Sequence, residues 1–158
     1  MPMDTSEEEV DQYIDEQMAR IEKSNSTTQD EIAAAVITAV AMAKDDKEEG
    51  SPALKAALVA TFAHLLAKRK RLIAEHESQT AYNAGMWFAG KQAGAMNKTW
   101  VTRKDTHVRA AHRELQGKSV PMGEGFAVGN ESLRFPGDPL APAGLTINCR
   151  CRLRFSIS

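Results

Sequence analysis

Hydrophobic positions recur at helical spacing through the first half of the chain. Val10, Tyr13, Ile14, Met18 and Ile21 form one stripe behind Ser6 and Glu9, which stand at capping-box spacing. The polar run KSNSTTQDE interrupts the stripe, and Thr28 with Glu31 repeats the box. A second helix is therefore expected over 29–45. It is apolar on nearly every side, which asks for burial or bundling. DDKEEG reads as a charged turn. Ser51 then caps a third helix, with Pro52 at the first helical position, where its missing N–H costs nothing. Leu54, Leu58, Phe62, Leu65, Leu66, Leu72 and Ile73 keep the helical spacing. This helix is expected to pass residue 80, with Gly85, Gly90 and Gly94 loosening its far end.

Beyond that point the period changes. KTWVTR is a short β-like run, and DTHVRAAHRELQG reads as a helix that Gly117 ends in a left-handed cap. Short apolar pieces around Phe126, Val128, Leu133 and Phe135 follow, separated by GEG, PGDP and LAPAG turns. In the last run Cys151, Leu153, Phe155 and Ile157 alternate with Arg150, Arg152 and Arg154, the period-two mark of a strand with one buried face. The expected class is α+β: long helices first, then a small domain of short antiparallel strands. The expected divisions are an acidic helical arm at 1–50, a long helix at 51–97 and the α+β domain at 98–158.

Charge sharpens this division. The net charge is only −1, but residues 1–50 carry 14 acids against 4 bases, and residues 51–158 carry 7 acids against 16 bases. The halves attract each other, or each faces a different partner, the basic one nucleic acid. Two cysteines are too few for a disulfide scaffold, which points to a reducing compartment. The acidic opening MPMDTSEEEV does not read as a secretory signal. The longest apolar run, IAAAVITAVAMA, is too short to span a bilayer, so no membrane partner is expected.

Candidate chemistry gathers in the second half. On a DTHVRAAH helix, Asp105, Arg109 and His112 stand at i, i+4 and i+7 and share a face, whereas His107 lies about 140° from His112. An ordinary reading is a surface ion pair with a capping aspartate. Cys149 and Cys151 on a strand point to one face. With an imidazole from a packed helix they make three ligands of a zinc site, Asp105 or a water being the fourth. Two small buried hydrophobes account for the same spacing, and an extended C-x-C stands near the upper limit for bridging as a disulfide. Lys68, Arg69, Lys70 and Arg71 radiate around one helical turn. With Arg152 and Arg154 they are candidates for sequence-independent phosphate contact, or simply a solvated surface. No P-loop, G-x-S-x-G or H-E-x-x-H motif is present. A hydrolytic site of Asp105, His112 and a thiol can be assembled on paper, but no spacing singles out a nucleophile with its base.

Three segments, RLIAEHESQTAYNAG, WVTRKDTHVRAAHRELQGKSVP and LRFPGDPLAPAGLTINCRC, taken in order, resemble the minor head, or head morphogenesis, proteins of tailed bacteriophages, typified by protein F of phage Mu. The likeness covers residues 70–158. The matching positions are Trp100, Asp105, Arg109, His112, Gly117, Pro136, Gly137, Asp138, Asn148, Cys149, Arg150 and Cys151. Where the family often has a proline between the arginine and the histidine, this chain has Ala110 and Ala111.

The resemblance implies a virion component present in few copies, more than one per particle, assembled in the host cytoplasm and associated with the portal protein or the inner face of the major capsid shell. It implies a part in procapsid assembly, contact with double-stranded DNA in some members, and no established enzymatic activity. The joint recurrence of Asp-Arg-His and Asn-Cys-Arg-Cys in such a family favours a His112–Cys149–Cys151 cluster, packed or holding a structural zinc, as a staple for a small domain.

Overall fold

The computed structural model describes residues 7–45 and 52–157. It is α+β. Two long helices, α1 (Glu7–Asp45) and α2 (Pro52–Gln92), are followed by β1 (Asn97–Val101), α3 (Ala110–Arg113), β2 (Ser119–Pro121), β3 (Phe126–Val128), β4 (Glu131–Leu133), α4 (Ala143–Thr146) and β5 (Arg152–Phe155). No helix among the described residues is long and apolar enough to cross a membrane.

The break expected at KSNSTTQDE does not occur: α1 runs unbroken for 39 residues. Side chains of the polar run bond back onto their own helix, Thr27 Oγ1 donating to the Lys23 carbonyl at 3.1 Å and Thr28 Oγ1 to that of Ser24 at 3.0 Å. These residues satisfy themselves inside the helix instead of capping a new one. Thr28 and Glu31 are thus not a capping box. Glu31 pairs with Arg69 at 3.5 Å, and the same guanidinium donates to the Ser24 carbonyl at 3.0 Å. The expected caps at Ser6 and Ser51, and the DDKEEG turn after Asp45, lie outside the described residues. So do most side chains of the apolar run at 32–43, although Ile37 is 69% exposed.

The chain divides into two compact units. One is residues 17–73 of the two helices; the other joins α1 up to Glu16 to everything from Ala74 onward. In the second unit β1 is the central strand of an antiparallel sheet of order β2-β1-β5, and β3 and β4 form a separate hairpin. Lys98 pairs in register with Phe155, Trp100 with Leu153, and Val101 with Arg152. Alternation along β1 turns Lys98 and Trp100 inward. The core comprises Trp100, Leu115, Phe126, Leu133, Phe135 and Leu153, none more than 2% exposed. Each such side chain contributes about 1.5–3 kcal/mol by leaving water.

Helix α2 is docked against this sheet by close approach. A Cβ on Gly90 would stand 2.8 Å from Met122 Cε and 3.0 Å from the Phe155 ring. Gly90 therefore lets helix and sheet touch, and it does not loosen the helix end. The helix stops at Gln92, and Gly94 follows at φ +70. The free edge of β5 is covered by a side chain: Asn83, fully buried, accepts from Leu153 N at 2.9 Å and donates to the carbonyls of Cys151 and Pro136 at 3.0 and 2.9 Å. The first turns of α1 close the unit from another side. Glu9 pairs with Lys91, Tyr13 sets its ring edge-on against Phe88 and Phe135, and Glu16 pairs with Arg134.

Candidate metal centre and the arginine face

The chain from Lys104 to Arg109 is not the helix that DTHVRAAH suggests; α3 begins only at Ala110. Lys104 sits at φ 58, in the left-handed region, which breaks helical continuation. Asp105 consequently organises a turn, accepting from His107 N at 3.0 Å, and pairs across the domain with Arg150 at 2.8 Å. Asp105, Arg109 and His112 do not share a helical face. Arg109 donates to the Ile147 carbonyl, and His107 is exposed.

His112 alone of these three reaches the cysteines. It is 1% exposed, and its Nδ1 lies 3.6 Å from Cys149 Sγ and 3.7 Å from Cys151 Sγ. Two local features aim the thiols inward. Asn148 takes φ 58, a conformation asparagine tolerates better than most residues, and turns the chain out of α4. From there Cys149, Cys151 and Leu153 alternate inward, while Arg152 and Arg154 stay exposed. Ile157, expected on the inward face, is 65% exposed beyond the end of β5.

Trp100 closes the cluster. Its ring meets that of His112 edge-on at 5.2 Å, and Phe126 packs on it in the same way at 5.2 Å. The Cys149 thiol is pulled down to about 5, first by the hydrogen bond from Cys151 and then by His112, against the opposing effect of burial. The Cys151 proton is held correspondingly more firmly, because the neighbouring Cys149 sulfur carries the charge and burial adds to it.

Among the described residues His112, Cys149 and Cys151 are the group able to hold a metal ion, their ligand atoms all lying within 4.8 Å of one another. Tetrahedral zinc, with Zn–S near 2.3 Å and Zn–N near 2.0–2.1 Å, sets sulfur and nitrogen about 3.6 Å apart. The observed separations match that spacing, so the donor set fits zinc. Asp105 is not in the group, its carboxylate being engaged by Arg150 and the His107 N–H. His112 Nε2 is buried with no hydrogen-bond partner. The ring is oriented by Trp100 instead of the usual carboxylate or carbonyl.

Further motif positions lie in tight turns and in a buried ion pair. Gly117, at φ +74, donates its N–H to the Trp100 carbonyl at 2.9 Å. Gly137, at φ +86, stands where a Cβ would meet Thr80 Oγ1 at 2.8 Å, in the turn begun by buried Pro136. Asp138, 1% exposed, accepts from the Arg134 backbone at 2.8 Å and from its guanidinium at 2.6 and 2.9 Å. Sequence reasoning missed Arg134 and Lys98, and marked Asn83 only as the asparagine that ends the RLIAEHESQTAYNAG likeness, without a role. A polar residue on a helix, or a lysine in a strand, carries no local sign of burial. Of the basic candidates, Lys68, Lys70 and Arg71 are exposed with Arg152 and Arg154, whereas Arg69 is half-buried and engaged with α1.

The family model described as Phage Mu protein F like protein matches residues 5–154 of this chain. Minor head protein GP7 of Bacillus phage SPP1 is 34% identical over 97 residues, which is 56% of this chain and 30% of that protein. The NAD(+)--arginine ADP-ribosyltransferase EFV of Enterococcus faecalis is 36% identical over 56 residues, 35% of this chain and 11% of that one. The chain thus spans a minor part of the length of either relative. No solved structure matches it.

Proposed function

The chain belongs to the phage Mu protein F-like family, and from that premise we propose that it is a structural minor head component of a tailed bacteriophage virion. It acts in head assembly through contacts with the portal protein or the major capsid protein, in several copies per particle, and it is not an enzyme. The observation that carries this reading is the family match over residues 5–154, joined by the likeness to a minor head protein. In the same proposal the cluster of His112, Cys149 and Cys151 holds a structural zinc. The ion would tie the segment before β5 to α3, and the chain's own residues supply three ligands.

The test is biochemical. Procapsids and virions of the source phage are purified with an epitope-tagged copy of the protein, and portal and capsid subunits are probed for co-purification. Enrichment with the portal or the shell is the expected result. Absence from both particles would end the proposal.

A second reading, non-specific contact with packaged double-stranded DNA, draws on the exposed Lys68, Lys70, Arg152 and Arg154. It requires gel shifts that weaken steeply as salt rises. No shift at low salt removes it.

A further inference from the structure

The outward side of the β1–β5 pair forms an open groove of about 480 Å³, bordered by Tyr82, Met86, Val101, Arg103, Arg152 and Arg154. Register sets the cations: Arg152 stands opposite Val101 and Arg154 opposite Thr99 on the exposed side of an antiparallel pair. Arg150, also on this groove, is matched by Asp105, and Arg152 lies over the Tyr82 ring at 6.0 Å. Among the described residues neither Arg103 nor Arg154 has a carboxylate partner. Several guanidiniums around one concavity repel each other until an anionic surface enters.

A surface of opposite character lies at the start of α1. Glu8, Asp11 and Asp15 stand at i, i+3 and i+7, all exposed, with no cation paired to them among the described residues. Ile14, 49% exposed, borders them within the same arc of roughly 120°. The opposite side of this helix, through Glu9, Tyr13 and Glu16, is committed to Lys91, Phe88, Phe135 and Arg134. These carboxylates therefore lie on the side of α1 that faces away from Lys91, Phe88, Phe135 and Arg134.

We propose that the groove receives the Glu8–Asp15 face of α1 from a second copy of this chain. The match is one of character as well as charge. A phosphodiester strand would satisfy the guanidiniums but set sugar and phosphate against Met86 and Val101. A helix face carrying three carboxylates beside an isoleucine meets both the cationic and the apolar parts of the groove. Because two different surfaces meet, the contact is heterologous and can propagate from copy to copy. A groove of this size takes only a turn or two of helix, so each contact belongs with the small, weak interfaces and works when copies are held close together. Its strength falls with salt, as paired surface charges require.

The test uses the full chain and sedimentation velocity from low to high micromolar concentration, at low and high salt. Wild type is expected to self-associate at low salt and to dissociate as salt rises. Arg152→Glu with Arg154→Glu, or Asp11→Arg with Asp15→Arg, should each weaken association roughly tenfold or more, since like charges then face each other. Mixing the two variants, or placing both sets in one chain, should restore it. Circular dichroism checks that each variant is folded. A monomeric wild type at low salt, association untouched by either reversal, or failure of the mixture to recover each overturns the proposal. So does a short DNA duplex that binds through Arg152 and Arg154 while self-association is indifferent to them, which would make the groove a nucleic-acid site.

Discussion

The two compact units are held by different means. In the unit of residues 17–73, the described side chains are exposed or half-buried, and Arg69 ties α2 to α1 through Ser24 and Glu31. In the other, an aromatic and aliphatic core encloses polar groups with assigned roles: Asn83 on the β5 edge, Asp138 under Arg134, and the imidazole beside the two thiols. Two long helices side by side tolerate exchange along most of their surface. A small α+β unit with few large apolar residues depends on a handful of satisfied buried groups, each expensive to remove.

Metal removal should separate the units most. The purified protein is expected to contain about one zinc per chain on elemental analysis, following the proposed site. Chelation should lower the thermal midpoint of the unit containing β1–β5, and Cys149→Ala with Cys151→Ala should abolish both the metal and the chelator effect. A metal-free protein that melts as the double variant does would leave the cysteines as apolar packing. Next in size, Asp138→Ala leaves the half-buried Arg134 guanidinium with Glu16 alone and removes the acceptor of the Arg134 and Leu140 backbone N–H groups. It should cost about 2–3 kcal/mol in denaturant unfolding, as buried donors lose their partner. A loss below about 1 kcal/mol would mean that Glu16 alone holds the arginine.

A smaller, pH-dependent difference comes from Lys98. Burial is the main cause that lowers its amine to about 8, opposed by the attraction of Asp138. In the unfolded chain the group titrates near 10.5, so between those values the unfolded state binds more protons and the cost of burying the charge falls as pH rises. The stability difference between wild type and Lys98→Met should therefore shrink from pH 8 toward pH 10.5 and stay level below pH 8. A difference that does not change with pH would show that the amine is not desolvated. The smallest effect belongs to the other unit: Ile37→Ala, at a site 69% exposed, should change stability by less than about 0.5 kcal/mol. A larger loss would reveal a buried role for that face of α1.

Much of the architecture was visible in periodicity. The change from helical spacing to period two near KTWV marks the passage from α2 to β1, and the alternation through Cys151, Leu153 and the arginines places β5 with its correct face inward. Errors came where a local signal has two readings. A serine and threonine run reads as a helix break because these side chains compete for backbone groups, yet the same hydroxyls can bond back four residues and remain helical. An i, i+4, i+7 pattern suggests a shared helical face only if the backbone is helical. Lys104 in the left-handed region ends that premise and sends Asp105 to Arg150. His112 was singled out together with Asp105 and Arg109; only the imidazole arrives at the thiols, carried there by the turn into α3.

What the amino-acid order determined alone is the set of faces: which residues of each helix and strand are apolar, where glycine and asparagine permit a left-handed turn, and that acid and base gather in opposite halves. These follow from spacing and side-chain chemistry within a few residues. Which faces meet was decided by the tertiary structure. That Asn83 would cap a strand 70 positions later, that Gly90 would admit Met122 and Phe155, and that the Cys149 and Cys151 sulfurs would lie 3.6 and 3.7 Å from His112 Nδ1 depend on long-range packing. No local pattern encodes such contacts, because the desolvation and shape that select them exist only once the distant segments are brought together.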